Sequence, residues 1–414
     1  MRILLAYSGG LDTSFLAAWF VEQGHEVHTC TVDCGGLDDA ARADLEARAH
    51  ALGASSHRLV DARERMVQEV LRWLIAGNVR RGGTYPLSVG AERGLQATIL
   101  VRLAAEGHYD ALAHGCTAAG NDQVRFDGAI AALGARIEVL APIRDQPRER
   151  AEQIAWLQER NLPLPPAGGR YSVNAGLWGL TIGGVETLGS EQALPEEAWH
   201  WTRNMKATRT LRVEFQQGVP VRLDQQPFRL VSALIEQLNR EGGACGVGRG
   251  YHLGDTVLGI KGRIGYEAPA AEVLLTAHRE LEKLVLTEDQ RTVKDQLGDL
   301  YGRMLHQGRF HDPLMRNLEA LFESMQEHVS GTVTLELSAG RALVTGTQSP
   351  FSMMTASDAA YGERPAAGAD PAGPRGLARI WAEPARLYHR AAEQAKRQAQ
   401  LRNVPPPAIS EKVS

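Results

Sequence analysis

The sequence predicts an α/β protein in three parts: a parallel sheet covered by helices on both faces, an α+β region, and one C-terminal helix. Three observations carry that prediction. Strand-like and helix-like runs alternate over roughly the first 160 residues, and such alternation belongs to parallel sheets with helices on each side. The texture then changes at Pro163, Pro165 and Pro166, which precede a Gly-rich region. Residues 363–376, rich in Ala, Gly and Pro, read as a linker before a last helical pattern.

Residues 2–6 are expected as the first strand, and 13–23 as an amphipathic helix closed by Gly24. A second strand is expected over 26–32, then an acidic helix from about 38 to 52 ending at Gly53. Segments 56–60, 111–114 and 137–140 read as further strands with helical stretches between them. Ligands in such sheets bind beyond the carboxyl ends of the strands. In the second part, 211–215, 219–223 and 256–260 are expected as antiparallel strands mixed with helices. Helices are expected over 276–284 and 289–307, and a hairpin from 331–336 and 341–345. The organisation read from these signals is 1–162, 163–362, a linker over 363–376 and a helix over 377–402. That helix is polar and rich in Ala and Arg. With few large apolar residues to hold it on its own domain, it reads either as a solvated helix or as an arm packed on a neighbouring subunit, and the arm is the expectation.

At 414 residues and 43% hydrophobic, the chain is large enough for two domains. Its formal net charge of -4 offers no global attraction to nucleic acid or an anionic membrane, so neither is expected as a partner. The N-terminus lacks a secretory pattern, and no apolar stretch is long enough to span a bilayer. A cytoplasmic location is expected. Cys30, Cys34, Cys116 and Cys245 are too few and too scattered for a disulfide framework. Cys30 and Cys34 read as reduced structural thiols, and no metal site is assigned.

The densest signal is Leu4-Leu5-Ala6-Tyr7-Ser8-Gly9-Gly10-Leu11-Asp12-Thr13-Ser14, a buried strand running through a glycine turn into a helix. Two glycines allow a sharp turn and close ligand approach. Asp12, Thr13 and Ser14 stand where capping and first-turn residues stand. Such a helix start offers unpaired N–H groups and a positive dipole end to a phosphate. The spacing matches neither the Walker pattern nor Gly-x-Gly-x-x-Gly. Ser-Gly-Gly-x-Asp-x-Ser instead resembles the pyrophosphate loop of enzymes that cleave ATP to AMP and pyrophosphate.

A second polar segment runs from His114-Gly115-Cys116-Thr117 to Asn121-Asp122-Gln123-Val124-Arg125-Phe126. Asn121 and Arg125 share one face of the helix that this segment opens. Arginine suits a carboxylate and aspartate an ammonium group, so these residue types are able to hold an amino acid by both ends. A helix cap with a surface ion pair is the plainer reading of the same residues. Tyr85-Pro86-Leu87-Ser88 and Tyr171-Ser172 are weaker signals, each readable as a loop with a packed aromatic. Gly246-Val247-Gly248-Arg249-Gly250, Gly259-Ile260-Lys261-Gly262-Arg263 and Tyr266-Glu267-Ala268-Pro269 set basic residues among glycines. They read either as backbone approached by an anion or as a tightly turned hairpin.

Taken in order, residues 6–14, 85–87, 114–126 and Lys261-x-Arg263-x-x-Tyr266-Glu267-x-Pro269 resemble the argininosuccinate synthase family, over nearly the whole chain to Tyr388-His389-Arg390. The resemblance implies an N-terminal domain of the ATP-pyrophosphatase, or adenine nucleotide alpha hydrolase-like, type. It implies an AMP-forming ligase of arginine biosynthesis that joins L-citrulline to L-aspartate through citrullyl-AMP, using ATP and Mg²⁺. For ATP it implies Ala6, Tyr7, Ser8, Gly9, Gly10, Leu11, Asp12, Thr13 and Ser14, with Val32 at the adenine and Gly115 along the nucleotide. Thr117, Asn121 and Asp122 are implied for aspartate. Tyr85, Asn121, Arg125, Ser172, Thr181 and Tyr266 are implied for citrulline, and Asp12, Asp122 and Arg125 for catalysis. A homotetramer whose C-terminal helices reach across to neighbours is implied as well.

The chain also departs from that pattern. Gly90 stands where a serine usually contacts citrulline, and Gly254, beside Asp255, where a glutamate usually meets its amine. Ala175-Gly176 replace an acidic-plus-amide pair, Ala118-Ala119 replace Gly-Lys, and Thr181 replaces a serine. Each lost partner costs about 1–3 kcal/mol if a ligand group goes unpaired. The changes gather on the acceptor side, so the alternative is a paralogous ligase acting on another ureido, amide or carboxylate acceptor. The intact loop at 8–14 argues against a non-catalytic nucleotide-binding protein. The acidic balance and the 121–126 run argue against a tRNA-modifying ATP pyrophosphatase.

Overall fold

The computed structural model describes residues 1–166, 169–203 and 207–401. Among these residues the first sheet is all-parallel, built from β1 (Arg2–Ala6), β2 (Glu26–Asp33), β3 (Ser56–Asp61), β4 (Ala111–His114) and β5 (Glu138–Leu140) in the order β3-β2-β1-β4-β5. Alternate residues of β1 enter different cores: Ile3 and Leu5 pack with Phe15, Leu16 and Leu157, whereas Leu4 packs with Ile99, Leu103 and Leu112. That is the period-two pattern of a strand buried on both faces. The helices Leu11–Glu22 and Arg150–Glu159 supply the first core, and Arg93–Glu106 and Asp122–Ala132 the second. The expected strands of this part are present, and the first helix begins at Leu11, two residues before position 13. Strand order reverses between β1 and β4, the place where open α/β sheets bind ligands. Both polar segments leave the sheet there, since Ala6 is in register with His114.

Two antiparallel sheets follow. Their strands are β6 (Ser172–Gly176), β7 (Gly179–Gly183), β8 (Thr208–Gln216), β9 (Val219–Leu223), β10 (Gln226–Pro227), β11 (Arg249–Asp255), β12 (Lys261–Glu267), β13 (Gly331–Ser338) and β14 (Arg341–Gln348). One sheet has the order β11-β12-β7-β6 and the other β10-β9-β8-β13-β14. Residues 256–260 are not the expected strand: they turn between β11 and β12, with Thr256 N–H donating to Ile260 O at 2.8 Å and Gly259 at φ 84°. Val257, Leu258 and Ile260 look strand-like locally, but the glycine-rich flanks find the cross-strand partners, and pairing outranks propensity. The hairpin option for those flanks is the one realised.

The helix Pro269–Val285 starts with proline at its first position, where a missing N–H costs nothing, and extends the expected 276–284 at its N-terminal end. The helices Val231–Ala244 and Pro313–Met325 have no individual expectation in the sequence reading. One apolar core joins the second face of the parallel sheet to Leu234, Leu274, Phe322, Val213 and Leu335.

The chain divides into two compact units, Met1–Met353 and Met354–Ser414. In the second, the helix Ala372–Leu401 begins inside the stretch expected as linker, and residue 402 lies outside the described residues. Leu377, Ile380, Trp381, Leu387 and Tyr388 recur on it at helical spacing, each at least half exposed. No helix among the described residues is long and apolar enough to cross a membrane.

Candidate active site

The turn after β1 is shaped by its own residues. Gly9 adopts φ 73°, and a Cβ there would lie 2.2 Å from Leu45 Cδ2, so a side chain is excluded both by conformation and by space. Arg48 donates to Gly9 O at 2.9 Å from behind. Gly10 N–H donates to Ser8 Oγ at 3.4 Å, and Thr13 Oγ1 donates to Gly10 O at 3.2 Å while lying 3.2 Å from Ser8 Oγ. Gly10 is the N-cap and carries no side-chain cap, which leaves the first-turn amides without intrahelical partners. Asp12 is thus a first-turn residue, and its Oδ1 accepts from Gln153 Nε2 at 2.9 Å. Ser14 is buried, 3.5 Å from the Tyr7 hydroxyl.

Gly115, after β4, presses on this loop. A Cβ on it would lie 2.9 Å from Thr13 Cγ2 and 3.4 Å from Asp12 Cβ. The chain then reaches Asn121, the N-cap of Asp122–Ala132, whose Oδ1 accepts from Val257 N–H at 2.9 Å. Asp122 accepts from Arg125 Nη1 at 2.8 Å and from Arg93 Nε at 2.9 Å. Burial alone would raise the Asp122 carboxyl, but the two guanidiniums hold it down at about 2. Arg125 is buried and also donates to His306 O and His306 Nδ1, each at 2.9 Å. Burial, with Arg125 next, pushes His306 down to about 3, so its ring is neutral.

A cleft of about 910 Å³ opens between these segments. Of the residues expected for ATP, Ala6, Tyr7, Ser8, Asp12, Thr13, Val32 and Gly115 line it; of those expected for the two amino acids, Tyr85, Thr117, Asn121, Asp122, Arg125 and Thr181 do. Gly9, Gly10, Leu11 and Ser14 are outside the lining and shape the loop instead. Tyr266 stands one layer back, its ring centroid 5.1 Å from that of Tyr85 and its hydroxyl donating to Thr84 O at 3.1 Å. Ser172 is exposed at the start of β6, outside the lining.

The remaining wall is assembled from distant segments. Gly35, at φ 104°, would place a Cβ 2.6 Å from Leu177 N, so its lack of one lets the end of β2 meet the β6–β7 turn, where Leu177 N–H donates to Cys34 O at 3.0 Å. Gly90 lies against Arg125, 3.2 Å from Nη1 to a built Cβ. His252 stacks on Tyr85 at 5.1 Å, and a Cβ on Gly254 would come within 2.6 Å of its Nε2, so the imidazole fills the space a side chain at 254 would need. Burial pushes the Cys34 thiol well above its ordinary value and Cys116 up to about 12, which removes both as nucleophiles.

Comparison with known proteins agrees with this arrangement along the chain. A family model described as Arginosuccinate synthase N-terminal HUP domain matches residues 2–163, and one described as Arginosuccinate synthase C-terminal domain matches 171–388. The chain belongs to the argininosuccinate synthase family. An argininosuccinate synthase of Methanocaldococcus jannaschii is 37% identical over 365 residues, 87% of this chain and 92% of the relative. Those of Xylella fastidiosa and Lactiplantibacillus plantarum are 38% and 35% identical, spanning 87% and 97% of this chain and 91% and 97% of theirs. A 4-thiouridine synthetase solved with RNA and ATP shares 15% identity at a TM-score of 0.27, covering 38% of this chain and 40% of that one, too low to carry weight.

Sequence reasoning missed Arg48, Gln153, Glu92, Arg93, His252 and His306. The Arg48 and Gln153 contacts join separate helices to the loop, and no local pattern marks them. Arg93 is a half-buried cation at the first position of its helix, and a cation is out of place at a helix start, which is the signal its position offered.

Proposed function

We propose that this protein joins L-citrulline to L-aspartate, cleaving ATP to AMP and pyrophosphate, and makes argininosuccinate by way of citrullyl-AMP. The observation that carries the reading is the adjacency of β1 and β4, which sets a phosphate-receiving helix start beside the Asp122–Arg125 pair. A ureido carbonyl is a poor electrophile without a leaving group. Transfer of AMP to its oxygen supplies one, and attack by the aspartate amine then expels AMP. The protein contributes positioning and charge stabilisation.

In this reading Ser8, Thr13 and the first-turn amides receive the phosphates, and Val32 the adenine. Asp122 stays anionic and holds the aspartate ammonium, with Thr117 beside it. Asn121 has given its Oδ1 to Val257, so its NH₂ is left to donate. Arg125 uses three N–H groups within the protein, and two of the five on a guanidinium remain for the citrulline carboxylate. Tyr85 and Thr181 offer hydroxyls nearby. No group of three His, Cys, Asp or Glu among the described residues could hold a metal. That fits Mg²⁺ carried chiefly by the nucleotide, with Asp12 as the carboxylate the protein offers it. When bound, the ion neutralises charge on the departing pyrophosphate.

We assign 1–162 to nucleotide binding and 163–362 to substrate binding and assembly, in a cytoplasmic homotetramer. The exposed apolar stripe from Leu377 to Tyr388 supports an intersubunit role for the last helix. Pyrophosphate release with ATP, Mg²⁺ and aspartate, with and without citrulline, tests the reading: citrulline-dependent release and the mass of argininosuccinate are expected. Gly90, Gly176 and the His252-filled space at Gly254 favour one second reading, the same chemistry on another ureido, amide or carboxylate acceptor. ATP binding without citrulline-dependent release selects it.

A further inference from the structure

A second arginine in the cleft has no task in the chemistry above. Arg81, on the turn before Tyr85, is half-buried and lines the same cleft as Arg125. Its backbone N–H donates to Tyr85 O at 2.7 Å, and His252 stacks on the Tyr85 ring, so the turn is held in place. Its Nη2 donates to Asp255 O. Its Nε and Nη1 have no partner among the described residues, and unlike the unpaired atoms of His252 and His306 they are not sealed from solvent. Arg81 forms no ion pair among the described residues: the Asp255 carboxylate is given to Lys261. Burial and then Arg125 lower its proton affinity, and Asp255 and Asp299 are too weak to restore it. A half-buried cation beside a like charge is stabilised by an anion that the ligand brings.

Arg125 has its free edge on the same cleft. Its Nε, one Nη1 N–H and one Nη2 N–H are spent on His306 and Asp122, which leaves one N–H on each Nη atom. A Cβ on Gly90 would lie 3.2 Å from both Nη atoms, so the glycine leaves that edge uncovered.

We propose that Arg81 and Arg125 together grip the terminal carboxylate of the acceptor and that no group reads an ammonium beside it, so the acceptors are ω-ureido carboxylates with or without an α-amino group. The proposal rests on the reading above, in which Arg125 faces the acceptor carboxylate. Two planar guanidinium forks match the two oxygens of one carboxylate.

The acids lining the cleft are committed elsewhere. Asp12 accepts from Gln153 on the phosphate loop. Asp33 accepts from Gly35 N–H at 2.8 Å and Arg42 Nε at 2.9 Å. Asp122 lies between Arg93 and Arg125 and has the other substrate's ammonium to hold. Glu92 is buried against the place of a Gly176 side chain, and burial pushes it up to about 8. Burial pushes His252 and His306 down, so neither carries charge. An α-ammonium at this end therefore meets two cations and no free carboxylate, and gains nothing from the protein.

The test follows pyrophosphate release by the full-length enzyme with ATP, Mg²⁺, aspartate and three acceptors. These are L-citrulline, 5-ureidopentanoate, which lacks only the α-ammonium, and pentylurea, which lacks the carboxylate as well. The kcat/KM for 5-ureidopentanoate is expected to match or exceed that for citrulline. Pentylurea is expected to fall about 100-fold below both, the loss when charged N–H groups go unpaired. Arg81→Gln is expected to raise KM about tenfold for the two carboxylates, with kcat within about twofold and pentylurea unchanged. A preference for citrulline over 5-ureidopentanoate above about fivefold overturns the proposal, because the ammonium is then recognised. An unchanged KM in R81Q, or equal losses on all three acceptors, also overturns it, and each of these leaves the ligase reading standing. ATP binding without release on either carboxylate overturns the ligase reading and this proposal with it. Should R81Q not fold, Arg81→Lys, which keeps the charge but not the fork, takes its place: a KM raised about threefold for the carboxylates alone supports the pair, and an unchanged KM overturns it.

Discussion

The loop at 8–14 and the acceptor wall border the same cleft and differ in construction. The loop is one continuous segment whose hydrogen bonds run among its own residues and to Arg48 and Gln153 behind it. The wall draws on four separate segments, holding Gly90 and Glu92, Gly176, His252 and Gly254, and His306, and it keeps Glu92 Oε1, His252 Nε2 and His306 Nε2 buried without partners among the described residues. A segment satisfied internally keeps its shape without ligand. A wall with unpaired polar atoms is less fully determined by the protein's own pairing, and each such buried atom carries a desolvation cost.

The sharpest way to break this contrast is to add a side chain to each region. Gly9→Val forces a β-branched residue into φ 73° against Leu45 and is expected to cost about 100-fold in kcat/KM for ATP, the usual effect of misplacing a reacting group by an ångström. Steady-state kinetics with varied ATP measure it. On the wall, Gly254→Glu meets His252 Nε2 and is expected to raise KM for citrulline about tenfold, while adding His252→Ala recovers most of it; a coupling of about 1 kcal/mol is the signature of two residues sharing one space. Additive effects would mean that His252 does not occupy the place of a side chain at 254.

Removing residues 372–401 sharpens the contrast differently. Sedimentation mass is expected to fall from about four chains to two or one, with ATP affinity changed by less than about twofold, because the exposed apolar stripe would leave with the helix. An unchanged mass would sink the arm.

The smallest expected effect is on stability. The Glu92 carboxyl is raised in the fold from 4.5 to about 8. Its contribution is therefore full below about pH 4.5 and is lost as pH rises through about 8, when burial must accommodate a charge. E92Q cannot ionise, so its melting temperature relative to wild type is expected to rise by about 5 °C between pH 5 and pH 9. A constant difference across that range would place Glu92 in a wetter setting.

Much of the fold is legible because it is periodic. The five strands of the parallel sheet are bounded by glycines or polar caps and alternate with helical spacing. The failures are equally physical. Residues 256–260 carry strand-like side chains but lie where the chain reverses, with Leu258 and Ile260 exposed. As a separate matter of placement, Tyr266 packs behind Tyr85 and Ser172 is exposed at the start of β6, both outside the cleft lining.

The sequence by itself determined the glycine loop and the helix start that follows it, because turn geometry and hydrogen bonds among Ser8, Gly10 and Thr13 shape them. It set Asn121 and Arg125 on one helix face by their spacing, while Val257 and His306 fix those two side chains from afar. Tertiary structure decided that Glu92 stands in the space left by Gly176, that His252 fills the place beside Gly254, and that Arg93 joins Glu92 to Asp122. Two of those contacts, Glu92 with Gly176 and Arg93 with Asp122, join residues far apart in the chain, and burial, which gives Glu92 its proton affinity, exists only once the separate elements have packed.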